Sequence, residues 1–197
     1  MSHFIDPKLI EKAIEGDPCA FNEVYLLLRN PVFGFVNRML EKSAAAEDIT
    51  QETFVFFIEH PEKYLIERGS LLAFLCGVAR HKIMHHLRKH QNRLEISVDA
   101  MDDFIEPVDE CAQDPLKILL DNEIALKIEE CIAMLPPLQR EVLILREIQE
   151  LSYEEIAKIV EANTGTVKIR LYRARRNLAC SLAPYISYER KNCHAVY

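Results

Sequence analysis

Residues 151–178 read LSYEEIAKIVEANTGTVKIRLYRARRNL, and this stretch decides the architecture. Ser152 and Glu155 stand at the spacing of a capping box, in which each side chain satisfies the other's backbone amide, and Leu151 and Ile156 hold the two positions of a hydrophobic staple. A helix therefore starts at Tyr153, with Ile156, Ile159 and Val160 on its buried face and small Ala157 where another helix can cross closely. Glu161, Ala162 and Asn163 break it. Thr164 is then predicted to cap a second helix with Val167, Leu171, Ala174 and Leu178 on its inner face, at i, i+4, i+7 and i+11. This spacing is that of a helix-turn-helix. The second helix turns Thr166, Lys168, Ile169, Tyr172, Arg173 and Arg176 outward, a face suited to a major groove, where its first turn meets base edges and its arginines reach phosphates or guanine edges. A solvated basic helix would carry the same charges, but here the capping, the core stripe and the outer face agree on one arrangement.

Working back from that motif, Pro136 and Pro137 start a helix, LQREVLILREI, whose Leu138, Val142 and Leu145 repeat at helical spacing. Before the prolines Leu116, Leu119, Leu120, Ile124, Ile128, Cys131 and Ile132 are predicted to form an inward stripe. Residues 94–115 have acids, two prolines and little periodicity, as a flexible tether would. The part up to residue 93 reads as several further helices. Asp17-Pro18 opens one through Val24, Leu27 and Leu28; VFGFVNRML is a second apolar pattern; AAAEDITQETFVFFIEH places Ile49, Thr53 and Phe56 on one face and stops at Pro61. HPEKYLIERGS reads as a loop, and a long helix then runs from about Ser70 to His90 with Leu71, Leu75 and Val78 inward. No strand pattern and no internal repeat is found. The expectation is an all-α chain of two small helical domains: residues 1–93, an acidic flexible linker 94–115, a helix-turn-helix domain 116–186, and a C-terminal tail 187–197.

A net charge of −7 over 197 residues seems adverse to nucleic acid, but its distribution is not. Arg80, Lys82, Arg88, Lys89 and Arg93 form one block without acids, and Lys168, Arg170, Arg173, Arg175 and Arg176 form another. The acids Glu95, Asp99, Asp102, Asp103, Glu106, Asp109, Glu110 and Asp114 gather in the linker, which suggests that it folds against the basic blocks until displaced. No apolar run is long enough to span a bilayer and no leader pattern is present, so a cytoplasmic location is expected. The six cysteines lack a CxxC pair and are expected to be reduced, with Cys76 and Cys180 buried in helices.

The run from Leu135 to Leu178, LPPLQREVLILREIQELSYEEIAKIVEANTGTVKIRLYRARRNL, resembles the minus-35-binding domain of the sigma-70 family, in particular the two-domain extracytoplasmic-function (ECF) sigma factors. DPCAFNEVYLLLRNPVFGFVNRML, AEDITQETFVFF and SLLAFLCGVARHKIMHHLRKH are similar to that family's opening, polymerase-docking and minus-10 helices. The resemblance implies a sigma factor, not an enzyme, with no cofactor or metal. Its implied partners are core RNA polymerase, through the beta-prime clamp helices and beta flap, promoter DNA, and an anti-sigma protein as a candidate. Asp48, Gln51 and Glu52 match the polymerase-binding positions. Thr164, Gly165, Thr166, Lys168, Ile169, Tyr172, Arg173, Arg175 and Arg176 match the minus-35 helix, and Tyr64, Arg68, Arg80, His81, Lys82, His85, Arg88 and Lys89 match the minus-10 surface. Some positions depart from the family's pattern. Glu161 stands where the turn usually has Gly, so a non-Gly residue is expected to take a positive φ there; Ile169 stands where Ser is common, and Phe74, His81 and His85 replace Trp, Asn and Asp, so promoter preference is expected to differ.

Four other readings compete with this one. The pairs His81/His85 and His86/His90 have an i, i+4 spacing that can hold a metal on a helix, but no carboxylate or Cys ligand lies nearby. Gly-rich phosphate loops and nucleophile motifs are missing, which disfavours an enzyme. A helix-turn-helix regulator acting on duplex operator DNA without polymerase, or an adaptor held by another factor, remains open at this level.

Overall fold

The computed structural model describes residues 5–40, 43–94 and 115–192. Among these residues there is no strand, and eight α-helices carry the chain. The linker acids proposed to cover the basic blocks lie outside the described residues.

The first four helices are α1 (Pro7–Ile14), α2 (Pro18–Met39), α3 (Ala45–Glu59) and α4 (Leu71–Leu94). Asp6 and Asp17 each accept a bond from the amide two residues on, 3.0 and 2.9 Å, and a proline follows at the first helical position, so both starts are fixed by local chemistry. The two apolar patterns expected as separate helices are one: α2 runs straight through Pro31. The proline removes the amide that would bond the carbonyl of Leu27, but Leu27 is half exposed and water can take that place. Thr50 and Thr53, buried in α3, return their hydroxyls to the carbonyls of Ala46 and Ile49 at 2.7 Å. Between α3 and α4 two single 3-10 turns, 61–63 and 66–68, shape the expected loop, which ends at Gly69 with φ +140°. Val24, Leu28, Val32, Phe35, Phe57, Leu71, Leu75 and Ile83 fill the centre of these helices. Phe56 and Val78, expected inward, are only partly buried; Phe54 and Phe57 take the core side of α3.

The remaining helices are α5 (Pro115–Ala133), α6 (Pro137–Leu143), α7 (Tyr153–Ile159) and α8 (Thr164–Asn192). A π-turn, Ile144–Ile148, extends α6, a feature the periodicity did not reveal. Val142, Ile144, Leu145, Ile156, Val167, Leu171 and Ala174 are buried. Two expected inward residues are not: Ile124 and Leu138 are 40% and 49% exposed. The capping box at Ser152 and Glu155 is formed in full. The cap of α8 comes from Asn163 rather than Thr164; its side-chain oxygen accepts the Thr166 amide at 2.7 Å. Glu161 takes φ +54°, the left-handed conformation expected there, and Glu150 takes φ +55°. Residues 187–192, expected as tail, continue the helix. Cys76 is buried as expected, whereas Cys180 is exposed.

The two halves do not stand apart: α4 packs against α7, and one apolar core runs through both. Gly77 on α4 faces Ile159 of α7 at this crossing, where a Cβ would meet Ile159 Cγ1 at 4.0 Å, an ordinary contact. Ile156 is fully buried beside this crossing. Ile156→Ala is expected to lower stability by about 2–5 kcal/mol, read by urea unfolding, since the cavity has packed neighbours on every side.

Candidate functional site

The outer face of α8 is built as the sequence predicts. Val167, Leu171 and Ala174 anchor one side, and Lys168, Ile169, Tyr172, Arg173 and Arg176 are exposed on the other, with Ile169 at 54% and Tyr172 at 68%. Thr164 and Thr166 are half-buried at the helix start and Gly165 is open. Arg175 is set apart: its guanidinium donates twice to Glu147 Oε1, at 3.0 and 2.5 Å, tying the helix to the π-turn. The Arg146 guanidinium and Lys168 ammonium both lie near the Tyr153 ring, at 4.8 and 5.5 Å from its centroid. Positive charge therefore extends beyond α8 to the start of α7.

On the other half, Asp48, Gln51 and Glu52 are exposed on α3 and line one shallow groove with Val55 and Glu59. Val55 and Ile58, about half exposed, give that acidic face apolar patches. His81, His85, Arg88 and Lys89 are exposed on α4. Lys82 bridges the two sets by pairing with Glu52 at 2.9 Å. Tyr64 is placed differently from the expected surface role: it is buried against Phe57 and Phe74, its hydroxyl donates to the Gly69 carbonyl at 3.4 Å, and burial followed by the charge of Glu155 raises its pKa. Its ring supports the loop that carries exposed Arg68. A cavity of about 790 Å³ opens beside this loop, with Phe74, Val78 and Ile159 among its apolar walls and Arg68, His81 and Lys158 among its basic ones.

Sequence reasoning missed the groups that join the halves. Arg80 is 17% exposed at its side chain, because its guanidinium donates to Glu141 Oε1 at 2.5 Å and reaches Glu161 at 3.4 Å. Glu141 is fully buried, and that burial raises its pKa against the opposing pull of Arg80 and then Arg170. Glu155 uses both oxygens. Oε2 completes the capping box with Ser152, while Oε1 accepts the Ser70 amide at 2.9 Å and hydroxyl at 2.6 Å, at the start of α4. Burial would raise its pKa, but the bonds from Ser70 and Ser152 bring it below the usual range. Lys158 Nζ donates to the Arg68 carbonyl at 2.7 Å, Arg38 pairs with Glu129 at 2.6 Å, and Gln149 Nε2 donates to the Pro31 carbonyl at 3.0 Å. The only signal in the sequence was Glu141 itself, an acid inside an apolar stripe.

Among the described residues no group of three or more His, Cys, Asp or Glu side chains is placed to hold a metal ion, and no helix is long and apolar enough to cross a membrane.

Comparison with known proteins agrees with this geometry. The family model for Sigma-70 region 2 matches residues 24–93, and that for Sigma-70 region 4 matches residues 125–178. The chain is 30% identical over 172 residues to the ECF RNA polymerase sigma factor BldN of Streptomyces coelicolor, aligning 87% of this chain and spanning 64% of that protein's length. It is 29% identical over 187 residues to the RNA polymerase sigma-H factor of Pseudomonas aeruginosa, covering 92% of this chain and 95% of the relative. The structure of the Bartonella quintana sigma factor RpoE, solved with the anti-sigma factor NepR, superposes with a TM-score of 0.68 at 25% identity, covering 83% of this chain and 96% of that one. The chain belongs to the sigma-70 family of RNA polymerase sigma factors, in its ECF group.

Glu141→Ala is expected to cost about 3–5 kcal/mol, because it leaves Arg80 and Arg170 without their buried counter-charge; a smaller loss for Glu141→Gln in the same urea titration would assign the effect to charge.

Proposed function

We propose that residues 116–186 read the minus-35 element through Thr164, Gly165, Thr166, Lys168, Ile169, Tyr172, Arg173 and Arg176, with Arg175 holding the helix in register. Residues 1–93 engage the melted minus-10 strand through Arg68, Arg80, His81, Lys82, His85, Arg88 and Lys89, with Tyr64 supporting the loop from beneath. Asp48, Gln51 and Glu52 grip the polymerase, whose beta-prime clamp helices offer the basic, amphipathic partner that an acidic groove with exposed Val55 and Ile58 would accept. The chain performs no bond chemistry and works in the cytoplasm, where its polymerase is. An anti-sigma protein is a fitting regulator, since a solved structural relative is bound to one. The observation that carries the reading is the exposed cationic side of α8, held outward by a stripe of buried Val167, Leu171 and Ala174.

Run-off transcription with purified core polymerase on a promoter library tests it. Arg173→Glu with Arg176→Glu is expected to reduce transcription by about tenfold or more, on the scale of groove contacts each contributing about 1–3 kcal/mol. Unchanged transcription would overturn the minus-35 assignment, and tight binding of duplex DNA without polymerase would favour a simple regulator. Ile169→Ser is expected to alter the base preferred at one minus-35 position, because the isoleucine offers a thymine methyl an apolar contact and the hydroxyl offers a hydrogen bond; sequencing of the selected promoters reads this.

A further inference from the structure

The cavity of about 790 Å³ beside the loop between α3 and α4 has the size that encloses a small molecule, and its walls divide by chemistry. Phe56, Phe74, Val78 and Ile159 supply apolar surface. Phe74 is half-buried: the rings of Tyr64 and Phe57 meet it edge-on, with centroids 5.6 and 6.2 Å away, and the rest of it lines the cavity. A further planar ring can join such a cluster edge-to-face or offset-stacked.

The charged wall is one-sided. Arg68, His81 and Lys158 stand there with a single carboxylate, that of Glu155. Both oxygens of Glu155 are taken, by Ser70 and Ser152, which leaves little to attract a cation. The two other cations of the lining are already engaged, Lys63 over the Phe56 ring at 4.7 Å and Lys82 by Glu52 at 2.9 Å. By contrast, the side chains of Arg68 and His81 have no hydrogen-bond or ion-pair partner among the described residues, and Lys158 spends only one donor, on the Arg68 carbonyl. Neutral polar groups are scarce. The hydroxyls of Ser70 and Tyr64 are donated to Glu155 and to the Gly69 carbonyl, and no amide side chain lines the cavity. A sugar or a nucleobase edge would find few acceptors for its hydroxyl and amino donors, and leaving them unpaired is costly. An apolar ring with one anionic group meets no such penalty.

We propose that this cavity is a binding site for a small aromatic monocarboxylic acid, of about the size of two fused rings, whose ring lies against Phe74, Val78 and Ile159 and whose carboxylate meets Arg68, with His81 and Lys158 beside it. The site needs neither DNA nor polymerase, so it stands or falls separately from the reading of α8 and α4 as promoter contacts.

Isothermal titration calorimetry of the full chain with naphthoate tests this. Saturable one-to-one binding is expected, with a dissociation constant on the order of 0.1 mM, as the usual free energy per ligand atom gives for an acid of this size. Naphthamide, the same rings without the charge, is expected to bind about tenfold more weakly or worse, and Arg68→Gln to weaken naphthoate by a similar factor. Val78→Trp fills the cavity from its apolar wall and is expected to abolish binding. Circular dichroism checks folding; Arg68 is exposed, so its variant decides the site even where Val78→Trp does not fold. Absent or unsaturable binding overturns the proposal, as does equal binding of naphthamide or an unchanged affinity in Arg68→Gln or in folded Val78→Trp. Adenosine monophosphate binding more tightly than naphthoate would overturn the assigned class and make the cavity a nucleotide pocket.

Discussion

The carboxylate of Glu155 is the constraint through which the rest of the structure is coordinated. One oxygen starts the first helix of the helix-turn-helix by capping it with Ser152, and the other starts the long helix of the other half by accepting from Ser70. A carboxylate at a helix start satisfies amides that have no partner within the helix and meets the positive end of its dipole. Here a single side chain does so for two helices from two halves. This shared anchor lies where α4 packs against α7, with Gly77 and Ile159 facing one another further along the same contact. The local signal that makes the motif recognisable and the contact that orients the halves are therefore the same residue.

This explains which parts of the molecule were legible in the sequence. Ser152, Glu155 and Ile156 could be read because capping and stapling are local, and Val167, Leu171 and Ala174 because a buried stripe on one helix repeats at the helix period. The continuity of α2 was not legible, since Pro31 reads as a stop and only its exposed setting makes it tolerable. The π-turn after α6 escaped for another reason: it adds one residue per turn and shifts the stripe without removing apolar residues from it. The second role of Glu155 lay beyond any periodicity, because Ser70 is distant along the chain. Tyr64 shows the same limit. A tyrosine among basic residues suggests a stacking surface, yet the aromatic neighbours that bury it come from α3 and α4.

The charge pattern acquires a physical sense from the same geometry. An acidic chain can present cationic faces to DNA only if its acids are elsewhere or engaged, and the described residues show the second arrangement. Glu147 engages Arg175, Glu52 engages Lys82, and Glu141 engages Arg80. The first of these leaves the neighbouring Arg173 and Arg176 exposed and stiffens the helix that displays them. The other two place acids against the basic side of α4. The two basic blocks therefore differ in state: the face of α8 is open to solvent, while that of α4 is partly neutralised by its own chain.

The junction between the halves is held by terms of different kinds. The tie between Arg38 and Glu129 is partly exposed, and ion pairs of that kind contribute about 0–1 kcal/mol each. The pair of Arg80 with Glu141 is better shielded, but Glu141 keeps one oxygen without a hydrogen-bond partner, and desolvation offsets much of the attraction. The apolar contact of Gly77 and Ile159 is small. These polar ties add to the apolar core that runs through both halves, so no single term fixes their arrangement.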